Sequence, residues 1–124
     1  MPRSRTFVVA LTLCAVAILV SALAFAGENG IRPALKRVET KKVCMVNNAV
    51  FEKDQIPVQV SGKTYYGCCE MCKERLAKDA AARTATDPIT KKPVDKATAV
   101  IAALPDGTVL YFESEATLKK YEGS

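Results

Sequence analysis

Four cysteines in the middle of the chain have the residue type and spacing for chemistry. Cys44 lies in Val-Cys-Met-Val, and Cys68, Cys69 and Cys72 lie in Tyr-Tyr-Gly-Cys-Cys-Glu-Met-Cys. The spacing C-x23-C-x3-C places Cys68 and Cys72 one helical turn apart and brings in Cys44 from a distant turn. Because the chain contains no histidine, these thiols predict either a soft-metal site or a disulfide cluster.

In a metal site, Cys44, Cys68 and Cys72 would bind as thiolates, and the extra thiol of Cys69 leaves open which of the two neighbours is the ligand. Three thiolates without imidazole suit copper(I), zinc or a thiophilic toxic metal. Tetrahedral zinc needs a fourth ligand, and Cys69, water or a partner molecule are the candidates. A helix starting after Cys69 would favour the thiolates through its dipole.

The two neighbouring methionines have both a structural and a chemical interpretation. Met45 follows Cys44 and is a candidate thioether ligand, although we expect a core residue. Met71 lies inside the C-x3-C turn, where we expect it to pack on the preceding hairpin.

A disulfide cluster is the alternative that the same cysteines allow. A bond from Cys44 to Cys68 would staple the fold, whereas a local bond to Cys72 would remove little chain entropy because the loop is short. A redox role is a third alternative, but C-x3-C differs from the C-x2-C spacing of thiol–disulfide oxidoreductases.

The first 26 residues have the pattern of a secretory signal peptide. Arg3 and Arg5 precede an apolar run from Phe7 to Val20, and Ala24-Phe25-Ala26 fits a cleavage site. An uncleaved membrane anchor is the alternative. We therefore expect an exported protein, periplasmic or secreted, that meets the membrane only through this segment before cleavage. Export would place the cysteines in an oxidising compartment, where disulfides are allowed.

The composition argues against two classes of function. The chain of 124 residues is mildly basic, with 18 Lys and Arg against 13 Asp and Glu, and its basic residues lack interleaved aromatics. We therefore expect no nucleic-acid partner. The chain also lacks a histidine, a nucleophile–base pair and a glycine-rich phosphate loop, so we expect no enzyme.

Hydrophobic patterning predicts an α+β fold built from two hairpin-plus-helix modules. After a flexible leader over 27–42 with one helical turn near 34–38, the first module spans 43–83. Its strands alternate through Ile56, Val58 and Val60, turn at Ser61-Gly62, and lead to a helix over 70–82. A linker over 83–87 leads to the second module, 87–122, which turns at Asp106-Gly107 and ends in a helix capped by Ser114.

The second module is predicted to be a degenerate copy of the first without thiols. Glu113 and Thr117 would take the positions of Cys68 and Cys72, and Thr90 the position of Cys44.

Residues 43–82 resemble the TRASH and YHS family of small cysteine-rich modules. The resemblance rests on Cys44-Met45, Ser61-Gly62-Lys63, Tyr65-Tyr66 and Cys68-x3-Cys72, and residues 87–122 look like a degenerate YHS module. It implies a treble-clef-like fold and soft-metal binding in trafficking, sensing or resistance, with a metal transporter or another envelope protein as partner. We therefore expect an exported protein that binds zinc or copper(I); the alternative is a disulfide-stapled interaction module without metal.

Overall fold

The computed structural model describes residues 33–123, in which short antiparallel strands and two helices give an α+β fold. The predicted signal peptide and the first part of the predicted leader lie outside the described residues. None of the helices in the described part is long and apolar enough to cross a membrane. The strands are β1 (Lys36–Arg37), β2 (Val43–Cys44), β3 (Ala49–Val50), β4 (Ile56–Val60), β5 (Lys63–Gly67), β6 (Thr84–Thr86), β7 (Pro93–Asp95), β8 (Val100–Ala103) and β9 (Val109–Phe112), and the helices are α1 (Glu70–Lys78) and α2 (Glu115–Glu122).

The first half contains the predicted hairpin followed by a helix. Strands β4 and β5 pair antiparallel, with Val58 opposite Tyr65 on the buried face. Ser61 and Gly62 both have positive φ, 50° and 77°, as a tight two-residue hairpin turn requires. The chain then enters α1, which packs against both strands.

The second half repeats this order of elements. Strands β8 and β9 pair antiparallel around a turn in which the Asp106 side chain accepts from the Thr108 backbone N–H at 2.9 Å. Helix α2 follows directly, and the Ser114 hydroxyl caps it by accepting from the Thr117 N–H at 3.3 Å. The predicted turn and cap are thus confirmed.

Three boundary predictions were wrong. The predicted helical turn at 34–38 is absent, because Lys36–Arg37 instead forms β1 on the edge of β8. The predicted linker over 83–87 contains β6, which pairs with β7. Helix α1 ends at Lys78 rather than 82, because the Asp79 carboxylate accepts from the Ala81 N–H at 2.9 Å and starts a separate 3-10 turn.

The two halves share one hydrophobic core. Tyr65 from the first half and Tyr111 from the second are both almost fully buried in it. Backbone hydrogen bonds also join the halves, since the Val109 N–H donates to the Asn48 carbonyl at 2.9 Å. The buried members of this cluster are Val43, Met45, Val58, Tyr65, Leu76, Ala82, Ile101, Ala103, Val109 and Tyr111. The site-bearing half is therefore supported by the other half.

The turns that open the two hairpin-plus-helix units have the same local geometry. Cys44 and Asp87 each begin a turn whose fifth residue, Asn48 or Lys91, has a left-handed φ, 52° or 61°. The residue before each helix also matches, with φ and ψ of −154° and 172° at Cys69. The corresponding angles at Ser114 are −158° and 167°. The parallel is consistent with the predicted degenerate copy, which stays a prediction.

Asp87, rather than Thr90, lies at the position that corresponds to Cys44. The Asp87 side chain is fully buried, and one carboxylate oxygen accepts from the Glu113 N–H at 2.8 Å and the Thr117 hydroxyl at 2.7 Å. The other oxygen accepts from the N–H groups of Ile89 and Thr90, at 2.7 and 3.2 Å. The expectation for Thr90 was wrong because the two turns differ in their spacing to the following helix.

Asp87→Asn is expected to destabilise the protein by about 3 kcal/mol, because an amide offers its own donors to groups that already donate. Burial raises the pKa of Asp87, but the hydrogen bonds from Glu113 and Thr117 outweigh it and hold the pKa below its ordinary value. The stabilisation is therefore present at neutral pH and lost as the pH falls below about 4. Urea unfolding between pH 2 and 7 measures both effects.

The matched control is Asp106→Asn, at an exposed turn carboxylate that also accepts a backbone N–H. It is expected to change the free energy of unfolding far less. Equal effects of the two changes would contradict the role of the buried carboxylate.

Candidate metal centre

Cys44 is held by a tight turn between β2 and β3. Cys44 pairs with Ala49 across the turn, and the left-handed conformation of Asn48 lets the chain reverse. The Met45 N–H donates to the Tyr66 carbonyl at 2.9 Å, which ties the turn to the end of β5. Cys44 is completely buried. Its thiol is thereby fixed beside the point where the chain leaves the hairpin.

Cys68 and Cys72 are positioned by the close passage from β5 into α1. A Cβ placed on Gly67 would lie only 2.9 Å from the Cβ of Cys72 and 3.1 Å from the Lys73 nitrogen. Glycine therefore lets the first turn of the helix pack directly on the end of the strand. Cys68 directly follows β5 and is exposed. Cys72 lies in the first turn of α1 and is buried.

The sulfur atoms of Cys44, Cys68 and Cys72 all lie within 4.8 Å of one another. Cys68 Sγ and Cys72 Sγ are 3.7 Å apart. Two thiolates on one tetrahedral zinc ion would be about 3.8 Å apart, given Zn–S bonds of about 2.3 Å. All four cysteines within residues 33–123 are free thiols. The cluster is therefore compatible with metal binding.

Cys69 lies outside this group of three. Its sulfur is 3.4 Å from Cys72 Sγ, but the residue occupies the cap position of α1, as Ser114 does in α2. The backbone N–H groups of Cys72 and Met71 favour its thiolate and lower its pKa. Cys69 thus occupies the cap position without a side-chain cap hydrogen bond, and this fourth candidate ligand lies next to the three clustered thiols.

The protein environment gives the three clustered thiols different pKa values. Burial alone would raise the pKa of Cys44, but the backbone N–H groups of Asn47 and Val46 favour its thiolate and lower the pKa. Burial, together with hydrogen bonds from the thiols of Cys69 and Cys68, raises the pKa of Cys72 to about 12. Hydrogen bonding with Cys44 raises the pKa of Cys68. A metal ion must therefore displace protons from Cys68 and Cys72.

The two methionines differ in their surroundings. Met45 is fully buried in the shared core, as expected for a structural residue. Met71 is 80% exposed, so the prediction that it packs on the hairpin was wrong. It points away because the first turn of α1 directs Cys72 toward β5. Met71 lines a hollow of about 320 Å³ beside the cluster, together with Val46, Asn47, Cys69, Cys72 and Arg75.

Sequence reasoning missed the polar side chains around the cluster. Asn47 donates its side-chain N–H to Cys68 Sγ at 3.3 Å. Lys96, from the loop between β7 and β8, donates to the Met45 carbonyl at 2.6 Å and to the Asn48 side-chain oxygen at 3.0 Å. An asparagine pair after a cysteine could have indicated a structured turn. Nothing in the sequence around Lys96 signalled its burial.

No protein-family model matches the chain, and neither the curated proteins nor the solved structures contain a match. The interpretation of the site therefore rests on its own residues and geometry.

Gly67→Ala is expected to move the first turn of α1 away from β5 and to separate Cys72 from Cys68, because the added methyl group meets backbone and Cβ atoms. Overpacking of this kind costs about 1–3 kcal/mol. We expect lower affinity for zinc, measured by competition with a chromophoric chelator, and lower stability in urea.

The control is Gly62→Ala, in the hairpin turn, where the positive φ makes alanine strained but open space surrounds the added methyl group. It is expected to lower stability without lowering zinc affinity. Wild-type affinity in Gly67→Ala would refute the packing argument.

Alkylation of the metal-free protein with iodoacetamide is expected to modify Cys69 first and Cys72 last. Cys69 is exposed with a lowered pKa, whereas Cys72 is buried with a pKa raised to about 12. The rate at Cys69 should therefore reach half its maximum at a lower pH than for an ordinary thiol. Fragment mass spectra of the tryptic peptide 64–73 assign each site, and equal rates at both cysteines would count against this order.

Proposed function

We propose that the protein binds a thiophilic metal ion, zinc or copper(I), through the thiolates of Cys44, Cys68 and Cys72. The convergence of three sulfur atoms within 4.8 Å carries the proposal. No imidazole is available anywhere in the chain, so an all-sulfur donor set favours soft and borderline metals over hard cations. The resemblance of Cys44-Met45 and Cys68-x3-Cys72 to TRASH and YHS modules supports the same function.

We further propose a role in trafficking, sensing or resistance in the cell envelope rather than catalysis. Buried structural zinc sites are closed on all sides by protein ligands. Here Cys44 and Cys72 are buried while Cys68 is exposed, and the hollow is lined by Cys72 and the neighbouring Cys69. An incoming ligand can therefore approach the cluster from one side. This partial exposure supports a metal that is exchanged with a partner, such as a metal transporter or another envelope protein.

Hydrogen-bond donors at Cys44 and Cys68 support thiolates rather than a disulfide, although the hydrogen bond with Cys44 raises the pKa of Cys68 and burial raises that of Cys72. The Asn47 side chain donates to Cys68 Sγ, and backbone N–H groups point at Cys44. Such donors stabilise negative charge on sulfur and have no comparable value to a neutral disulfide. The disulfide-stapled interaction module remains the alternative outcome of the experiment.

The test is elemental analysis and thiol titration of the protein isolated from its native compartment without chelator. We expect one equivalent of metal and free thiols once the metal is removed. Cys44→Ser and Cys72→Ser should each lower the affinity by more than about 100-fold, since losing even an outer-shell partner costs about 10- to 100-fold. Affinities for Zn(II) and, without oxygen, Cu(I) are measured by chelator competition.

Cys69→Ser is the matched change at the neighbouring thiol. Because serine is a good helix cap, as Ser114 is for α2, the substitution removes the thiol at a position where serine suits the start of α1. We expect one equivalent of metal to be retained. A loss equal to that of Cys44→Ser would instead make Cys69 the fourth ligand. Absence of both metal and free thiols in the isolated protein would sink the metal proposal and favour the disulfide-stapled module.

A further inference from the structure

Lys96 is a buried cation at the turn that follows Cys44. Its side chain is 5% exposed, and its ammonium group contacts the carbonyl of Met45 and the side-chain oxygen of Asn48. It also lies 5.1 Å from the centroid of the Tyr111 ring. All three are neutral groups. The adjacent carboxylate of Asp95 pairs with Lys63 instead, at 2.7 Å.

A buried ammonium group without an anion is costly even when its hydrogen bonds are satisfied. Among residues 33–123, no carboxylate forms an ion pair with Lys96. Lys96 donates its shortest hydrogen bond to the carbonyl of Met45, the residue after Cys44. Burial lowers the pKa of Lys96, a thiolate at Cys44 opposes that effect, and Arg75 adds to it. The burial of Lys96 is therefore explained when the cysteine cluster carries negative charge.

The charge of the cluster depends on its state. Three thiolates carry a net charge of −1 with a divalent ion and −2 with a monovalent ion, whereas a disulfide is neutral. We propose that Lys96, contributed by the half of the protein without cysteines, is the built-in counter-ion of the metal–thiolate cluster and acts as a positioning residue for it. This inference rests on the proposed metal-binding function and deepens it.

Lys96 also fixes the conformation of the turn that follows Cys44. Its two hydrogen bonds hold both ends of the turn after Cys44, at Met45 and at Asn48. A cation in this place keeps closed the turn that holds Cys44. The same side chain would therefore both position Cys44 and supply the positive charge.

The experiment compares the affinities of the whole protein for Zn(II) and Cu(I) in Lys96→Met. We expect Zn(II) affinity to fall roughly tenfold and Cu(I) affinity roughly a hundredfold, because a unit charge interacts more strongly with the cluster of higher net charge. A purely structural loss would lower both affinities by the same factor. The ratio of the two losses is therefore the readout that reports charge.

Two further variants separate charge from hydrogen bonding and from folding. Lys96→Gln keeps an N–H donor for the Met45 carbonyl but has no charge, and it should behave like Lys96→Met; it also carries the test if Lys96→Met does not fold. Lys73→Met removes an exposed cation from α1 and should leave both affinities unchanged. Wild-type affinities in Lys96→Gln, or equal losses for the two metals, would overturn the counter-ion proposal. If the wild-type protein binds neither metal, the failure lies in the proposed function itself.

Discussion

The hydrogen bond from the Met45 N–H to the Tyr66 carbonyl is the contact on which the arrangement of the cysteines depends. Cys68 lies at the end of β5, and Cys72 lies in the first turn of the helix that follows. The two thiols are therefore close because of local geometry alone. Cys44 comes from another turn and has no local reason to be near them. The hydrogen bond of 2.9 Å from Met45, the residue after Cys44, to the Tyr66 carbonyl holds Cys44 beside the other two thiols.

The two hairpin-plus-helix units use different chemistry in turns of similar local geometry. In the second half a buried carboxylate, Asp87, accepts hydrogen bonds from the backbone of Glu113 and the side chain of Thr117, which closes the turn onto the helix start. In the first half the corresponding place has sulfur atoms, which hydrogen-bond weakly. The Asp87 carboxylate accepts four hydrogen bonds and needs no ligand to hold the turn against the helix. The thiols of the first half would bind the turn and the helix together strongly only when a cation coordinates them.

Local patterns in the sequence were sufficient to predict the α+β class, both hairpins with their turns and the cap of α2. Period-2 alternation and turn residues such as Ser61-Gly62 determine these elements within a few positions of the chain. The convergence of Cys44 with Cys68 and Cys72 was instead predicted from the shared residue type and from the family resemblance. The strand at Lys36–Arg37, the role of Asp87 and the burial of Lys96 could not be predicted, because each depends on a partner more than 20 residues away. The sequence does not show whether a lysine or an aspartate is solvated or buried. Only the tertiary contacts of the side chain distinguish the two cases.

The core shared by the two halves determines whether the protein stays folded when an ion leaves the cysteine cluster. Small zinc modules with one hairpin and one helix ordinarily unfold when their ion leaves, because the ion replaces a core that is too small. Here Tyr111, Ile101 and Val109 of the second half complete the core around Val43 and Met45. The scaffold of the cysteines is thus held by apolar burial rather than by the ion. A thiol cluster whose scaffold is held by apolar packing can lose a bound ion while the protein remains folded, so that turnover of the ion is separated from turnover of the protein.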